Sequence, residues 1–296
     1  METLQTCPVC SHTAFSHLFN CTDYVATGES FSLQRCENCS FLFTNPRPDA
    51  AEIGKYYQSD RYISHAGNKA GFSFIYKLYD LVRGFSIKSK LKLIHKYHKD
   101  GKLMDLGCGL GYFLEGVKKE AVFDAVGVDI SEDAIAYVKK RFGYDVMPES
   151  ALKSIEPTSF DVITQWHVLE HVHSLNERMQ DLKRLLKPGG TLFIAVPNSD
   201  SWDAQHYREY WDGYDAPRHL YHFNRKSFAL LMQNHGFEIQ ETLPLWFDAP
   251  YISMRSETHK GNKFVFLRGA ISGLRSTLAT AGNTNFSSLL FVVKAS

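Results

Sequence analysis

A chain of 296 residues with 44% hydrophobic content can bury a substantial core, so it reads as globular, one main domain plus an appendage. Its formal net charge of +1 gives no global bias toward nucleic acid or an anionic membrane, and no apolar run nears the roughly 20 residues that span a bilayer. The METLQTCPVC start lacks a basic segment followed by an apolar stretch, so no secretory signal is read, no membrane partner is expected, and the expected location is the cytoplasm.

The first element is a pair of C-x-x-C knuckles. Cys7-Pro-Val-Cys10 and Cys36-Glu-Asn-Cys39 are separated by residues 11–35. Together they offer four thiolates, the donor set of a tetrahedral structural zinc site. Disulfides are rare in a cytosolic chain, and four thiolates leave no open position for catalysis. Phe15, Leu18, Phe19, Tyr24, Phe31 and Leu33 between the knuckles suit short strands over a small core, with the metal supplying stability that about 40 residues lack. Cys21 is read as a spare thiol and Cys108 as a small packing residue. This gives a zinc-ribbon-like module over residues 1–45.

Pro46-Arg47-Pro48 then forms a rigid break. A tyrosine-rich stretch follows, in which Tyr56, Tyr57 and Tyr62 either line a pocket or pack a domain junction. Phe74, Leu78, Leu81, Phe85, Leu91 and Ile94 recur on an approximate helical face and predict a helix over 72–98. Residues 46–98 are therefore expected to be linker and helical cover.

From residue 99 the chain alternates in βα fashion. Strands are expected at 102–105, 125–129, 144–147, 160–164 and 191–196, with helices at 111–120, 132–142 and 175–186. Ser131 caps the second of these helices, and Lys187-Pro188-Gly189-Gly190 ends the third. Leu175, Met179, Leu182 and Leu186 form its core face, and Asp161 is read as structural. A helix at 225–235, a strand from Phe237 and a last strand at 288–294 complete the pattern. Such alternation implies a parallel sheet covered on both faces, with ligands beyond the strand C-terminal ends.

The first of these strands runs into DLGCGLG. The dinucleotide fingerprint fails, because Tyr112 stands where its third glycine belongs, and no Gly-Lys-Ser/Thr makes a P-loop. Asp105 before the glycines suits a ligand with a cationic end. Asp129 ends the next strand, where a carboxylate can hold a ribose diol. The ligand implied is a nucleoside with a cationic tail and no phosphate.

DLGCGLG, VGVDIS, FDVITQWHVLEHV at 160–172 and LLKPGGTLFIAVPN at 185–198, in this order, resemble a class I S-adenosylmethionine-dependent methyltransferase over roughly residues 100–240. The resemblance implies an α/β fold: a Rossmann-like, seven-stranded, mostly parallel sheet with helices on both faces and the last strand antiparallel. It implies that Gly107, Gly109 and Gly111 face the methionine end of the cofactor with Asp105 near its amino group. Asp129 would hold the ribose, Ile130 would lie beside the adenine, and the loop from Glu149 to Leu152 would approach its edge. Gln165 and Trp166 would border the methionine portion.

Methyl transfer is an in-line displacement on an already activated sulfonium, and a hydroxyl or carbon acceptor also needs a base, for which histidine is suited. The candidates are His167 and His171 after the fourth strand, and His219 and His222 in WDGYDAPRHLYHF after the fifth. That loop, with Trp211, Asp212, Tyr214, Arg218 and Tyr221, is expected to form an acceptor pocket, with Arg218 available to an anionic group. No third ligand accompanies His219 and His222, so a metal there is not favoured.

A narrower resemblance is to deoxysugar C-methyltransferases, which join a paired C-x-x-C module to this fold and place a catalytic histidine where His219 falls. The chain departs from them in having Arg218 where a glutamate precedes that histidine, and in lacking their large extra C-terminal domain. The resemblance implies C- or O-methylation of a small hydroxylated acceptor such as a saccharide. The rival readings are an inactive adaptor and a methylase of RNA or protein that grips its target with the zinc module. Near-zero charge opposes nucleic acid, and Gln165-Trp166-His167 replaces the Asn/Asp-Pro-Pro-Tyr/Phe motif of amino-group methylases.

Overall fold

Two sheets organise the chain, and residues near position 220 tie them together. The computed structural model describes residues 1–58, 73–246, 248–279 and 285–295. Tyr62 lies outside the described residues, as do the side chains of Phe74 and Leu78.

Strands β1 (Phe15–Thr22), β2 (Ser30–Cys36) and β3 (Leu42–Thr44) form an antiparallel sheet. Helix α1 (Ser73–Tyr97) leads to the larger unit. There β4 (Gly101–Leu106), α2 (Tyr112–Glu120), β5 (Phe123–Asp129), α3 (Glu132–Phe142) and β6 (Val146–Pro148) alternate. They are followed by β7 (Phe160–Trp166), α4 (Leu175–Leu185) and β8 (Leu186–Pro197). Next come α5 (Trp202–Tyr207), the short β9 (Tyr221–His222), α6 (Arg225–Asn234) and β10 (Phe237–Pro244). Helices α7 (Asp248–His259) and α8 (Val265–Ala279) and strand β11 (Ser288–Ala295) end the order.

The seven-stranded sheet has the order β10-β11-β8-β7-β4-β5-β6. Strands β4 to β8 pair in parallel, and β11 enters antiparallel between β8 and β10. The chain winds outward from β4 to β6, then returns to lay β7 against the other side of β4. The crevice where winding reverses is where open α/β sheets hold ligands. Alternate residues of β4 enter opposite cores, Leu103 on the α1–α2 side and Met104 and Leu106 on the other. The fold is the expected one.

Two local expectations need correction. Leu81 and Phe85 face solvent, and among the described side chains α1 enters the core through its later turns, at Leu91 and Ile94. Strand β8 begins at Leu186 rather than near 191, because Leu186 already pairs with Phe160 and a register shift before Val162 absorbs the Pro-Gly-Gly residues.

The smaller sheet is four-stranded. Its fourth strand is β9, which pairs with β3 through Leu42–His222 and Phe43–Tyr221. Phe41 packs on Tyr221 and Phe223, with ring centroids 5.9 and 5.4 Å away, and Phe223 continues to Phe228 of α6 at 5.9 Å. Phe41, Phe43 and the knuckle cysteines therefore share one apolar core with the parallel sheet. Burying those rings stabilises the joint by about 1.5–3 kcal/mol each.

Candidate active site at the strand C-terminal edge

The glycine loop folds back over the end of β5. Both Gly107 and Cys108 donate backbone N–H to Val128 O, at 2.7 and 3.0 Å. The three glycines take φ of +80°, +52° and +73° in chain order, a region that costs other residues about 1–2 kcal/mol. Their surroundings differ. A Cβ on Gly107 would lie 2.4 Å from Val168, and one on Gly111 2.7 Å from Val138, whereas one on Gly109 would meet nothing within 4 Å. Gly107 and Gly111 thus permit packing, and Gly109 borders open space. Cys108 is buried, its sulfur lying where a Cβ on Gly127 would come within 2.9 Å, which agrees with a packing role.

Asp129 braces this loop, accepting from Gly109 N at 2.7 Å and Ser131 N at 2.9 Å. Each of its oxygens keeps a second lone pair. Ile130 next to it is exposed. Asp105 is buried at the tip of β4. Burial pushes its carboxyl up to about 7 against a hydrogen bond from Thr164 at 2.7 Å. Its Oδ2 and both amide atoms of the buried Gln165 have no hydrogen-bond partner among the described residues. Buried polar groups are as a rule hydrogen-bonded, so three orphaned atoms close together beside one open loop point to a ligand position. Across from them, Glu149 accepts from Arg178 and opens a short 3-10 turn. Lys90 of α1, which the sequence reading did not single out, lies 4.1 Å over the Trp166 ring. Beside it, Leu93, Leu243, Leu245, Trp246 and Leu290 line a groove of about 420 Å³ between α1 and the β10–β11 pair.

The histidines separate by environment. His167 sits at φ +57°, its ring between Glu170 at 3.2 Å and Asp248 at 3.1 Å. Burial alone would depress it, but the two carboxylates lift it to about 10. With its pKa lifted and both ring nitrogens engaged by carboxylates, it is less suited than His219 to the base role expected of it. His171 is pushed down to about 4 by burial and by His219. Its Nδ1 lies 3.0 Å from both Arg218 O and the Tyr57 hydroxyl. His219 holds Nδ1 2.9 Å from Gly213 O. A carbonyl only accepts, so Nδ1 carries a proton, and in the neutral tautomer the lone pair is on Nε2. The His171 and His219 rings meet edge-on at 4.6 Å. Glu170, His171 and His219 bring one donor atom each within 4.8 Å of one another, a convergence that the spacing of His219 and His222 did not reveal.

His222 belongs elsewhere. It is buried in the β3–β9 joint with Nε2 3.1 Å from Thr44 Oγ1, and burial holds its pKa well below the ordinary imidazole value. This position, in the joint between the sheets, favours packing over the expected role of a base.

Most of the 211–223 loop is likewise scaffold, contrary to the expected pocket. Trp211, Tyr214 and Tyr221 are buried. Trp211 donates to Asp203 at 2.9 Å, and Tyr214 packs on Phe19 with centroids 5.4 Å apart. Arg218 is 1% exposed and donates to Asp23 at 2.9 Å, Asp215 at 2.5 and 2.9 Å, and Tyr56 O at 2.9 Å. Clasped this way, it is not available to an acceptor anion. Tyr56 is buried in the same junction, whereas Tyr57 reaches His171.

Cys7, Cys10, Cys36 and Cys39 bring their sulfurs within 4.8 Å of one another, with Cys7–Cys39 at 3.6 Å and Cys10–Cys36 at 3.5 Å. A tetrahedron with Zn–S bonds of 2.3 Å has edges of about 3.8 Å. The spacing fits such an ion, and all four cysteines are free of disulfides.

Residues 82–242, more than half of the chain, match the family described as Methyltransferase domain. The ubiquinone biosynthesis O-methyltransferase of Methylococcus capsulatus is 35% identical over 104 residues, 33% of this chain and 44% of that protein. A probable S-adenosylmethionine-dependent methyltransferase of Mycolicibacterium smegmatis is 24% identical over 152 residues, 50% of this chain and 56% of that one. The chain thus spans about half the length of these curated relatives. Among solved structures, a possible histamine N-methyltransferase from Thermotoga maritima aligns with TM-score 0.51 and 18% identity, over 76% of this chain and 97% of that one. Phosphoethanolamine N-methyltransferase 2 of Haemonchus contortus, in complex with S-adenosyl-L-methionine, aligns with TM-score 0.50 and 22% identity, over 70% of this chain and 52% of that one. These two carry the same fold. By its sheet order and its family match, the chain belongs to the methyltransferase domain family, as a class I S-adenosylmethionine-dependent methyltransferase.

Proposed function

We propose that this methyltransferase acts on a hydroxyl or an acidic carbon of a small hydroxylated acceptor of the saccharide type, with His219 as the base. When bound, S-adenosylmethionine supplies an activated methyl group. Gly107 and Gly111 let the loop pack closely so that Gly109 gives backbone access to its methionine end, and Asp105 and Gln165 offer their unpartnered atoms to its amino and carboxylate groups. Asp129 takes the ribose hydroxyls, and Ile130 covers the adenine. His219 accepts the acceptor proton at Nε2, while Gly213 O fixes its tautomer. His171 limits the tilt of that ring, and a protonated His167 offsets one of the two negative charges of Glu170 and Asp248.

The observation that carries this reading is the pairing, along one sheet edge, of orphaned polar atoms at Asp105 and Gln165 with a histidine whose Nε2 lone pair is free. Replacing His219 with Ala should lower turnover by about 10²–10⁴-fold while leaving cofactor affinity within a factor of about two. Methyl transfer from labelled cofactor to a panel of sugar nucleotides and phenols, with calorimetry alongside, measures both. Full turnover in the variant would remove His219 from the role.

The apolar groove beside Lys90 favours a second reading, O-methylation of an acceptor that carries an apolar portion. It is supported by the relatives named as ubiquinone biosynthesis O-methyltransferases. A preference for phenols over sugar nucleotides in the same panel selects it.

The Cys7, Cys10, Cys36 and Cys39 set supports a structural zinc in residues 1–45, followed by a cover over 46–98 and the catalytic unit over 99–296. The β9 joint supports a role for the zinc module in building the rim that holds His219, rather than in gripping RNA or protein.

A further inference from the structure

Helix α8 is amphipathic in the inverse sense. Its buried side is made of Gly269, Ser272, Gly273 and Ser276, and its large apolar residues point outward. Phe264, Phe266, Leu267, Ile271, Leu274 and Leu278 are each 44–70% exposed. Leu267, Ile271, Leu274 and Leu278 follow the helical repeat, so they form one stripe. The helix cannot rotate to hide them. A Cβ on Gly269 would lie 2.6 Å from the Met254 Cα, and one on Gly273 2.6 Å from the Pro250 Cα, so α7 admits only the small-residue face.

The formal charges along this segment have one sign. Residues 258–279 contain Lys260, Lys263, Arg268 and Arg275 and no Asp or Glu, although the whole chain is near neutral. All four cations are exposed. An apolar stripe flanked only by cations is complementary to a surface that is apolar below and anionic above. No helix of the described residues is long and apolar enough to cross a membrane, so α8 would lie flat.

We propose that the outward face of α8, with Phe264, is a docking surface for an anionic lipid membrane. Its apolar side chains enter the acyl boundary, and the four cations pair with lipid phosphates. Because α7 carries Asp248 against His167 and Arg255 against Asp212, the docked face stands one helix layer from the catalytic rim.

Co-sedimentation of the full chain with phosphatidylcholine vesicles containing about one-third phosphatidylglycerol tests this. Binding is expected, weaker in high salt, and reduced at least about tenfold by Leu267→Glu/Leu274→Glu and by Arg268→Glu/Arg275→Glu. Cofactor affinity should be unchanged in both variants, which shows that they fold. Failure to sediment with anionic vesicles overturns the proposal, as does equal binding to pure phosphatidylcholine. A dimer in sedimentation velocity that Leu267→Glu/Leu274→Glu dissolves would assign the face to a second copy of the chain and overturn it too.

Discussion

Replacing Gly109 with Ala separates the two uses of glycine in the cofactor loop. At φ +52° the added methyl costs about 1–2 kcal/mol of backbone strain, and with nothing within 4 Å it adds no clash. Urea unfolding without cofactor should therefore show a loss of about that size. Gly107→Ala carries the same strain and drives a methyl to 2.4 Å from the stiff Val168 side chain. Overpacking adds about 1–3 kcal/mol, for a total near 2–5 kcal/mol. Cofactor binding should show the reverse contrast. The Gly109→Ala methyl occupies space assigned to the ligand, so calorimetry should find affinity for S-adenosylmethionine reduced at least about tenfold, or 1.4 kcal/mol. A Gly109→Ala protein that binds cofactor within about twofold of the parent would refute that assignment. Equal destabilisation by both substitutions would refute the packing argument.

Arg218→Met should destabilise by about 3–5 kcal/mol in urea melts, because it strands the buried Asp23 carboxylate; adding Asp23→Asn should restore part of the loss. Calorimetry across pH should show cofactor affinity rising from pH 5 to about 7 and flat above it, since a cationic ligand favours ionised Asp105, and Asp105→Asn should flatten the rise. The same group acts oppositely on the free protein. Its folded pKa of about 7 exceeds the unfolded 3.8, so the stability it contributes is full below 3.8 and is lost as pH rises through about 7. Metal analysis of reduced protein should find one zinc per chain, absent in Cys36→Ser, with chelation lowering the melting temperature; zinc-free protein of unchanged stability would count against the four-thiolate site.

The conformation of the glycine-loop edge was legible because local chemistry dictates it. Glycines at positive φ, acids at strand ends and the Ser131 cap are each required by their immediate neighbours. Strand order was legible only through resemblance, since periodicity does not encode which strand lies beside which. The roles of Arg218 and His167 were hidden for another reason. Their partners, Asp23 and Asp248, lie 195 and 81 positions away. A loop rich in Trp, Tyr, His and Arg reads alike as pocket or joint until those partners are placed, and here most of it is joint. Strand β9 has two residues and so no alternation to detect. Helix α8 escaped because its apolar residues mark the exposed face rather than the core.

The β3–β9 pairing also orders events in time. Thr44 and His222 are 178 positions apart, and the whole winding from β4 to β8 lies between them. Closing so long a loop costs entropy before any contact repays it, so this pairing belongs to the late steps of folding. On the ribosome, the four-cysteine segment emerges before residues 221–222 and must wait for them before its sheet is complete. A chain caught before that step would hold a formed glycine-loop crevice but lack the Thr44 hydrogen bond to His219 O; on the function proposed above it would bind cofactor and be idle toward any acceptor.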